Sequence, residues 1–252
     1  MLASLMGRDR LRLDQALCER GLAPSRARAQ GLILAGVVRV DGEVATKAGR
    51  PVERQATITV DAPDHPWVSR AGIKLAAALE AFHLDPSGCC CLDVGASTGG
   101  FTHVLLERGA TSVVALDVGR GQLDWRLRQD PRVEVRDGVN ARFLTSDDLP
   151  GPFDLIVVDV SFISLRLVLP ALRTLLTPGG DLVALVKPQF EAGRSQVGKG
   201  GVVRDPSVRE AAILGVIAAA DELGLRLRGR LASPLPGPAG NVEELVWLTP
   251  SA

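Results

Sequence analysis

Tyrosine is absent from these 252 residues, and Phe and Trp number only six and three. A row of aromatic side chains on which successive bases stack is thereby excluded. Cysteine is scarce and badly spaced for a metal: Cys18 stands alone and Cys89-Cys90-Cys91 run together, with no C-x-x-C pair for zinc and no disulfide framework. His65, His83 and His103 have no partner His or Cys at ligand spacing, so no metal is expected and all three read as structural or surface residues. Such cysteine usage fits a reducing compartment. No apolar stretch nears the ~18 uninterrupted residues of a membrane span, and MLASLMGRDR reaches Arg8 and Asp9 too soon for a signal peptide. The expectation is a soluble, cytoplasmic chain with no membrane partner. Net charge is missing as well: 29 Lys+Arg balance 29 Asp+Glu, which argues against bulk attraction to nucleic acid.

What is present is unevenly distributed. Residues 1–56 hold ten Lys/Arg against six acids, a local charge of +4, while the other 196 carry 19 basic and 23 acidic side chains, or −4. The neutral total conceals a small basic module joined to a larger acidic one. In the first, Leu13, Ala16 and Leu17 fall at helical spacing, Gly21 is a stop, and Pro24-Ser25 opens a second helix with Ser25 as N-cap and Ala29, Leu32 and Ile33 as its buried stripe. Val38-Arg39-Val40, a turn at Asp41-Gly42 and a strand around Thr57–Val60 complete a small α+β unit. Its arginines, among them Arg10, Arg12, Arg20, Arg26 and Arg28, lie near the helix starts, where backbone N–H groups also favour phosphate. Asp61-Ala62-Pro63-Asp64-His65-Pro66 reads as the connection, giving boundaries of 1–62, a linker at 63–68 and a second domain over 69–252.

From residue 88 short apolar runs alternate with amphipathic stretches: Cys90–Val94, Val113–Leu116, Val133–Val135, Leu155–Val158, Leu182–Val186, and a late pair near Leu225–Leu231 and Leu245–Leu248. The repetition predicts an α/β fold with a mostly parallel sheet covered on both faces. Ligands then lie beyond the carboxyl ends of the strands. After the first run stands Asp93-Val94-Gly95-Ala96-Ser97-Thr98-Gly99-Gly100-Phe101. Ser97 occupies the second glycine position of a dinucleotide fingerprint, and no cationic turn awaits a pyrophosphate. A D-x-G-x-x-x-G loop suits S-adenosyl-L-methionine better. Asp117 is placed to grip ribose hydroxyls, and Asp137 to reach the adenine amino group. The fourth run ends at Asp159-Val160-Ser161-Phe162, lacking the Asn/Asp-Pro-Pro-aromatic motif of amine methylation, and no cysteine nucleophile follows the fourth or fifth run. Lys187, ending the fifth run, faces the cleft by geometry; Lys74 and Glu243 are candidates to converge on it with Asp159, a Lys-Asp-Lys-Glu set suited to ribose 2′-O-methyl transfer.

Two resemblances add to this. Arg12-Leu13-Asp14, Arg20-Gly21-Leu22, Ser25-Arg26, Gly36-Val37-Val38, Gly42 and Lys47 resemble the S4 RNA-binding domain. The whole chain resembles the TlyA (hemolysin A type) family through Val68-Ser69-Arg70, Asp93 to Phe101, Ala115-Leu116-Asp117-Val118-Gly119, Asp159 to Leu165, Val186 to Glu191, Gly198 to Val203 and Gly240-Asn241-Val242-Glu243. This implies a Rossmann-like class I methyltransferase with a mostly parallel seven-stranded sheet similar to FtsJ/RrmJ, preceded by a small α+β S4 domain. It also implies ribosomal RNA or its subunits as partner, a cytidine ribose as target and S-adenosyl-L-methionine as methyl donor. Lys74, Asp159, Lys187 and Glu243 become the catalytic tetrad, with Lys187 as candidate base, Asp159 orienting it and Glu243 holding Lys74 or the ribose. Asp93, the segment Gly95, Ala96, Ser97, Thr98, Gly99, Gly100 and Phe101, then Asp117 and Asp137 become the cofactor site, and Arg10, Arg12, Arg20, Ser25, Arg26, Arg28 and Lys47 the RNA face. The sequence leaves monomer and homodimer open. The competing readings are a non-catalytic ribosome-assembly factor and a membrane-active haemolysin, the latter opposed by Ala211–Ala220 reading as a core helix.

Overall fold

The structure, a computed structural model, describes residues 10–23, 25–61, 65–145 and 147–251. The expectations placed on the first nine residues, on Pro24 and on Ala62, Pro63 and Asp64 lie outside the described residues. The chain divides into two compact units, Met1–Pro66 and Trp67–Ala252.

The first unit contains β1 (Arg10–Arg12), α1 (Leu13–Glu19), α2 (Arg26–Leu34), β2 (Val38–Val40), β3 (Glu43–Val44), β4 (Pro51–Glu53) and β5 (Ile58–Val60). Ser25 caps α2 by accepting the Arg28 N–H. Asp41 and Gly42 both take positive φ, which suits the tight turn that pairs β2 with β3; β5 lies on the other side of β2. Leu13, Leu17, Ala29, Ile33, Val38 and Val52 join one apolar cluster. The antiparallel pairing of β1 with β4 has no counterpart in the sequence reading: three residues show no period, and Arg10 finds Glu53 across most of the unit.

The second unit contains α3 (Ala71–Ala81), β6 (Cys90–Val94), α4 (Gly100–Glu107), β7 (Ser112–Asp117), α5 (Trp125–Arg128), β8 (Val133–Asp137), β9 (Phe153–Val158), α6 (Leu169–Leu175), β10 (Leu176–Val186), α7 (Pro188–Glu191), α8 (Pro206–Glu222), β11 (Leu225–Ala232) and β12 (Glu244–Pro250). All seven apolar runs become strands of one sheet in the order β8-β7-β6-β9-β10-β12-β11. Strands β6 to β10 are parallel, and β12 runs antiparallel to both neighbours. Strand β10 starts earlier than its apolar run, at Leu176, with a break in register before Asp181; Pro178-Gly179-Gly180 conceals that extension in the sequence.

Side chains alternate between the two faces of a strand. Leu92, Val94, Val114, Leu116, Ile156, Val158, Leu182, Ala184 and Val186 pack with Leu169 and Leu172 of α6 and Ile213 and Val216 of α8. Their neighbours Cys91, Val113, Ala115, Leu155, Val157, Val183 and Leu185, with Leu245 of β12, pack with Leu75 and Leu79 of α3 and Val104 and Leu105 of α4. Each such fully buried Leu, Ile or Val contributes about 1.5–3 kcal/mol. From β6 the chain builds outward through β7 and β8, then returns to β9 on the other side, so β6 and β9 flank the point where the strand order reverses. No helix among the described residues is long and apolar enough to cross a membrane, and α8 buries Ala212, Ile213, Val216 and Ala220.

Candidate active site

The face that packs on α3 carries the candidate residues. Extending the Val157, Leu185 and Ala115 alternation by one step brings Asp159, Lys187 and Asp117 to that face, and Asp93 lies on it within β6. Strand β12 enters antiparallel beside β10, and the pairing of Val186 with Glu244 sets position 243 opposite 187. Helix α3 supplies Lys74. Its Nζ lies 2.5 Å from Oε2 of Glu243, and the two residues are only 8% and 1% exposed. Lys187 Nζ lies 2.6 Å from Oδ1 of Asp159 and donates to Ser161 Oγ at 2.8 Å. The structure thus sets the four residues as two lysine–carboxylate pairs. Burial demands this, because an unpaired charge on an apolar wall costs several kcal/mol.

The turn after β6 is held in left-handed geometry at Gly95, Ser97 and Gly99 (φ 86°, 48° and 94°). At Gly95 the glycine has a second reason: a Cβ there would overlap the carbonyl oxygen of Asp159 and lie 2.9 Å from its carbonyl carbon. The bare Cα therefore lets the β6 turn approach the residue that pairs with Lys187. Asp117 accepts the Ser97 N–H at 2.8 Å and the Gly119 N–H at 2.7 Å, tying the β6 and β7 turns together. Thr98 anchors α5 by accepting the Asp124 N–H, and Ala96, like Gly99 and Gly100, is buried. Phe101 packs its ring into the core, 2% exposed, so only its backbone remains for a ligand. Asp137 accepts from Arg128 at 2.8 Å and the Gly121 N–H at 3.1 Å. Burial pushes the Asp137 carboxyl upward, yet Arg128 and Gly121 together hold it below its ordinary value. Asp93 is fully buried and turned toward α4, where Oδ2 accepts both the N–H (2.8 Å) and the hydroxyl (2.6 Å) of Thr102. Because Gly99 at the N-cap offers no side chain, Asp93 supplies that helix start with its acceptor. Asp93, Asp117 and Asp159 at neighbouring strand ends fit a ligand bearing positive charge, as S-adenosyl-L-methionine does.

Several contributors escape sequence reasoning. Ser161 was legible only as part of its motif. Glu191 accepts from Ser164 Oγ (2.5 Å) and the Leu165 N–H (2.7 Å), lashing the loop after β9 to α7 after β10. Phe162, 91% exposed with φ 65°, meets Phe190 at 5.2 Å between ring centroids across the same two loops. Asn241 is buried, receives the Val203 N–H and donates to the Gly201 carbonyl. Gly237 faces the Glu243 carboxylate so closely that a Cβ would overlap Oε1 and lie 3.0 Å from Cδ. Its φ is not positive, so alanine fits the backbone there and overlaps only the Glu243 side chain. Gly237→Ala is expected to slow single-turnover methyl transfer at least tenfold by moving Glu243 off Lys74, at an overpacking cost of about 1–3 kcal/mol in a thermal melt. A normal rate would show that this pair tolerates displacement.

In the first unit, fully buried Asp14 gathers cations. It accepts from Nε and Nη2 of Arg12, Nη2 of Arg26 and Nε2 of Gln30, each at 3.0 Å. The Arg12 bonds, against the opposing push of burial, hold the Asp14 carboxyl well below the usual carboxylate range. Both guanidiniums remain about half exposed. Arg10 pairs with Glu53 at 2.6 Å, and Arg20 is committed to the carbonyls of Ala56 and Arg54. The Ser25 hydroxyl is occupied as the α2 cap, with Arg28 in the first turn and Lys47 exposed on a loop.

A family model described as FtsJ-like methyltransferase matches residues 67–249, and one described as S4 domain matches residues 11–58. The fold and the cleft are therefore those of an FtsJ-like methyltransferase with an S4 domain ahead of it. Within that class the chain belongs to the TlyA, or hemolysin A type, family. It is 54% identical, over 95% of its length and 90% of the relative, to the 16S/23S rRNA (cytidine-2′-O)-methyltransferase TlyA of Mycobacterium tuberculosis. To Hemolysin A of Brachyspira hyodysenteriae it is 40% identical over 93% of its length and 98% of that protein. A solved Streptococcus thermophilus structure named for hemolysin superposes with a TM-score of 0.76 at 41% identity, covering 96% of this chain and 89% of that one.

Proposed function

We propose that this protein transfers the methyl group of S-adenosyl-L-methionine to the 2′-hydroxyl of cytidine in ribosomal RNA, in the cytoplasm where ribosomes reside. The carrying observation is the pair of lysine–carboxylate contacts, Lys74–Glu243 and Lys187–Asp159, at the carboxyl ends of β9 and β10. The bound cofactor supplies an electrophilic methyl on a sulfonium. The Gly95–Gly100 turn and Asp117 hold its amino acid and ribose parts, with Asp137 bordering the adenine side. The 2′-hydroxyl must lose its proton as the new O–C bond forms. Lys187 Nζ is ion-paired with Asp159 and donates to Ser161 Oγ, and in its neutral form it would turn its free electron pair to the 2′-hydroxyl proton. Lys187 takes that proton at Nζ, and Asp159 orients the amine and stabilises the ammonium that forms. Lys74, held by Glu243, steadies the ribose. Alignment of oxygen, methyl and sulfur contributes most of the acceleration, about 7–11 kcal/mol in favourable cases. Phe162 offers an exposed ring face to the target base, while Arg12, Arg26, Arg28 and Lys47 meet RNA phosphates.

Incubating the purified protein with labelled S-adenosyl-L-methionine and ribosomal subunits is expected to place label on cytidine ribose, read as alkali-resistant dinucleotides. An otherwise identical RNA with deoxycytidine at the target should bind and accept no methyl. Label on a base, or none on any ribosomal RNA, would overturn the assignment.

A further inference from the structure

Three carboxylates meet beside the point where strand order reverses, and each is compensated differently. Asp159 faces Lys187, and Asp117 accepts two backbone N–H groups. Among the described residues Asp93 has neither a cation nor a full set of donors. From α4 it receives only Thr102, on Oδ2, while Oδ1 is buried with no hydrogen-bond partner. Asp159 beyond β9 and Asp117 from β7, both of its own sign, act on it; the lysines of that face are committed elsewhere, Lys187 to Asp159 and Lys74 of α3 to Glu243, and the ionisable residues of α4, His103 and Glu107, are engaged with each other. Burial pushes the Asp93 carboxyl up to about 7, and those two charges push the same way against the Thr102 bonds.

We propose that Asp93 distinguishes the cationic methyl donor from its uncharged product, giving up its proton when the donor binds and regaining one after transfer. The inference rests on reading this cleft as the S-adenosyl-L-methionine site. In the transfer the S–CH₃ bond breaks, its electron pair stays on sulfur, and the ribose oxygen gains the methyl and loses its proton. Sulfur thereby changes from a positively charged sulfonium to a neutral thioether. The same three carboxylates then face one positive charge fewer, and Asp93 takes a proton from solvent. Product is held less tightly than donor, which favours its release at neutral pH.

The sign follows from linkage: a group that titrates near 7 in the free protein and lower in the complex makes binding release protons, so affinity rises with pH. Binding of S-adenosylmethionine and of S-adenosylhomocysteine to the intact protein is measured by titration calorimetry between pH 6 and 7.5, in two buffers of different ionisation enthalpy. The donor's affinity is expected to rise about eightfold over that range, which is the titration of one group near 7, and the product's by less than twofold. Protons released at pH 7 should be more numerous for the donor. The amino group common to both ligands cancels in the comparison. Asp93→Asn should abolish the difference; if that variant does not fold, the difference in proton release of the natural protein decides alone. Equal pH dependence for the two ligands, or a difference that survives Asp93→Asn, overturns the inference while leaving the cofactor reading intact. Failure of both ligands to bind at any pH overturns the cofactor reading and the inference with it.

Discussion

Lys187→Met is expected to lower single-turnover methyl transfer at least about a thousandfold while S-adenosyl-L-methionine binds within a few-fold of normal. Methionine preserves the length and apolar stem of the lysine and removes only the ammonium. Positioned proton transfer contributes typically 10²–10⁴-fold, and here the lost group also orients the attacking oxygen. Asp159 would keep its place at the end of β9 through its backbone N–H bond to Val94, so the turn that holds the cofactor survives. Its carboxylate, 18% exposed as a side chain, would lose its cation. Lys187→Arg should not rescue the rate, since a guanidinium keeps its proton and its planar fork does not fit a pocket built for one Nζ. Cofactor affinity measured by calorimetry and the chemical step measured with saturating RNA separate the two effects. A variant that methylates normally would remove Lys187 from the chemistry.

Gly95→Ala should be the most damaging single methyl in the second unit. The residue has φ 86°, which costs an L-residue about 1–2 kcal/mol, and its new Cβ would meet backbone atoms of Asp159, which cannot rotate away as a side chain can. Overpacking adds about 1–3 kcal/mol. Relief would require β6 and β9 to part where the β6 turn meets Asp159, so cofactor binding and stability should fall together. Gly224→Ala provides the comparison: its φ is 71° but nothing lies within 4 Å of the added Cβ. That variant carries the conformational cost alone, and denaturant unfolding should show Gly95→Ala less stable than Gly224→Ala by the steric share. Equal losses in the two would mean that the close approach of the turn to Asp159 is unimportant.

Much of this site lies in the primary structure for a simple reason. Ligands of a parallel α/β sheet lie beyond the carboxyl ends of its strands, so apolar runs that end in Asp117, Asp159 and Lys187 already mark those residues as candidates. Ser25 ahead of α2 announces its helix start because cap chemistry is local. The short strands β1 and β4 carry no such announcement, and Leu176 to Asp181 of β10 hides behind turn-forming residues. Asp93 shows the limit most sharply: as a letter at a strand end it looks like a ligand contact, and only its neighbours reveal a carboxylate turned inward to Thr102.

By itself, then, the amino-acid order determined the alternating α/β architecture, the basic character of the first unit against the acidic second, and the strand ends at which the acids and Lys187 stand. All of these depend on local periodicity and composition. The tertiary structure decided who meets whom: Lys74 with Glu243, Lys187 with Asp159 and Ser161, Gly237 against Glu243, and Asp93 with Thr102. Those partnerships follow from the order of strands in the sheet, which puts β9 beside β6 and threads β12 backward beside β10. Strand order is a property of the packed whole, since it is chosen by the joint burial of both faces, and no single segment contains it.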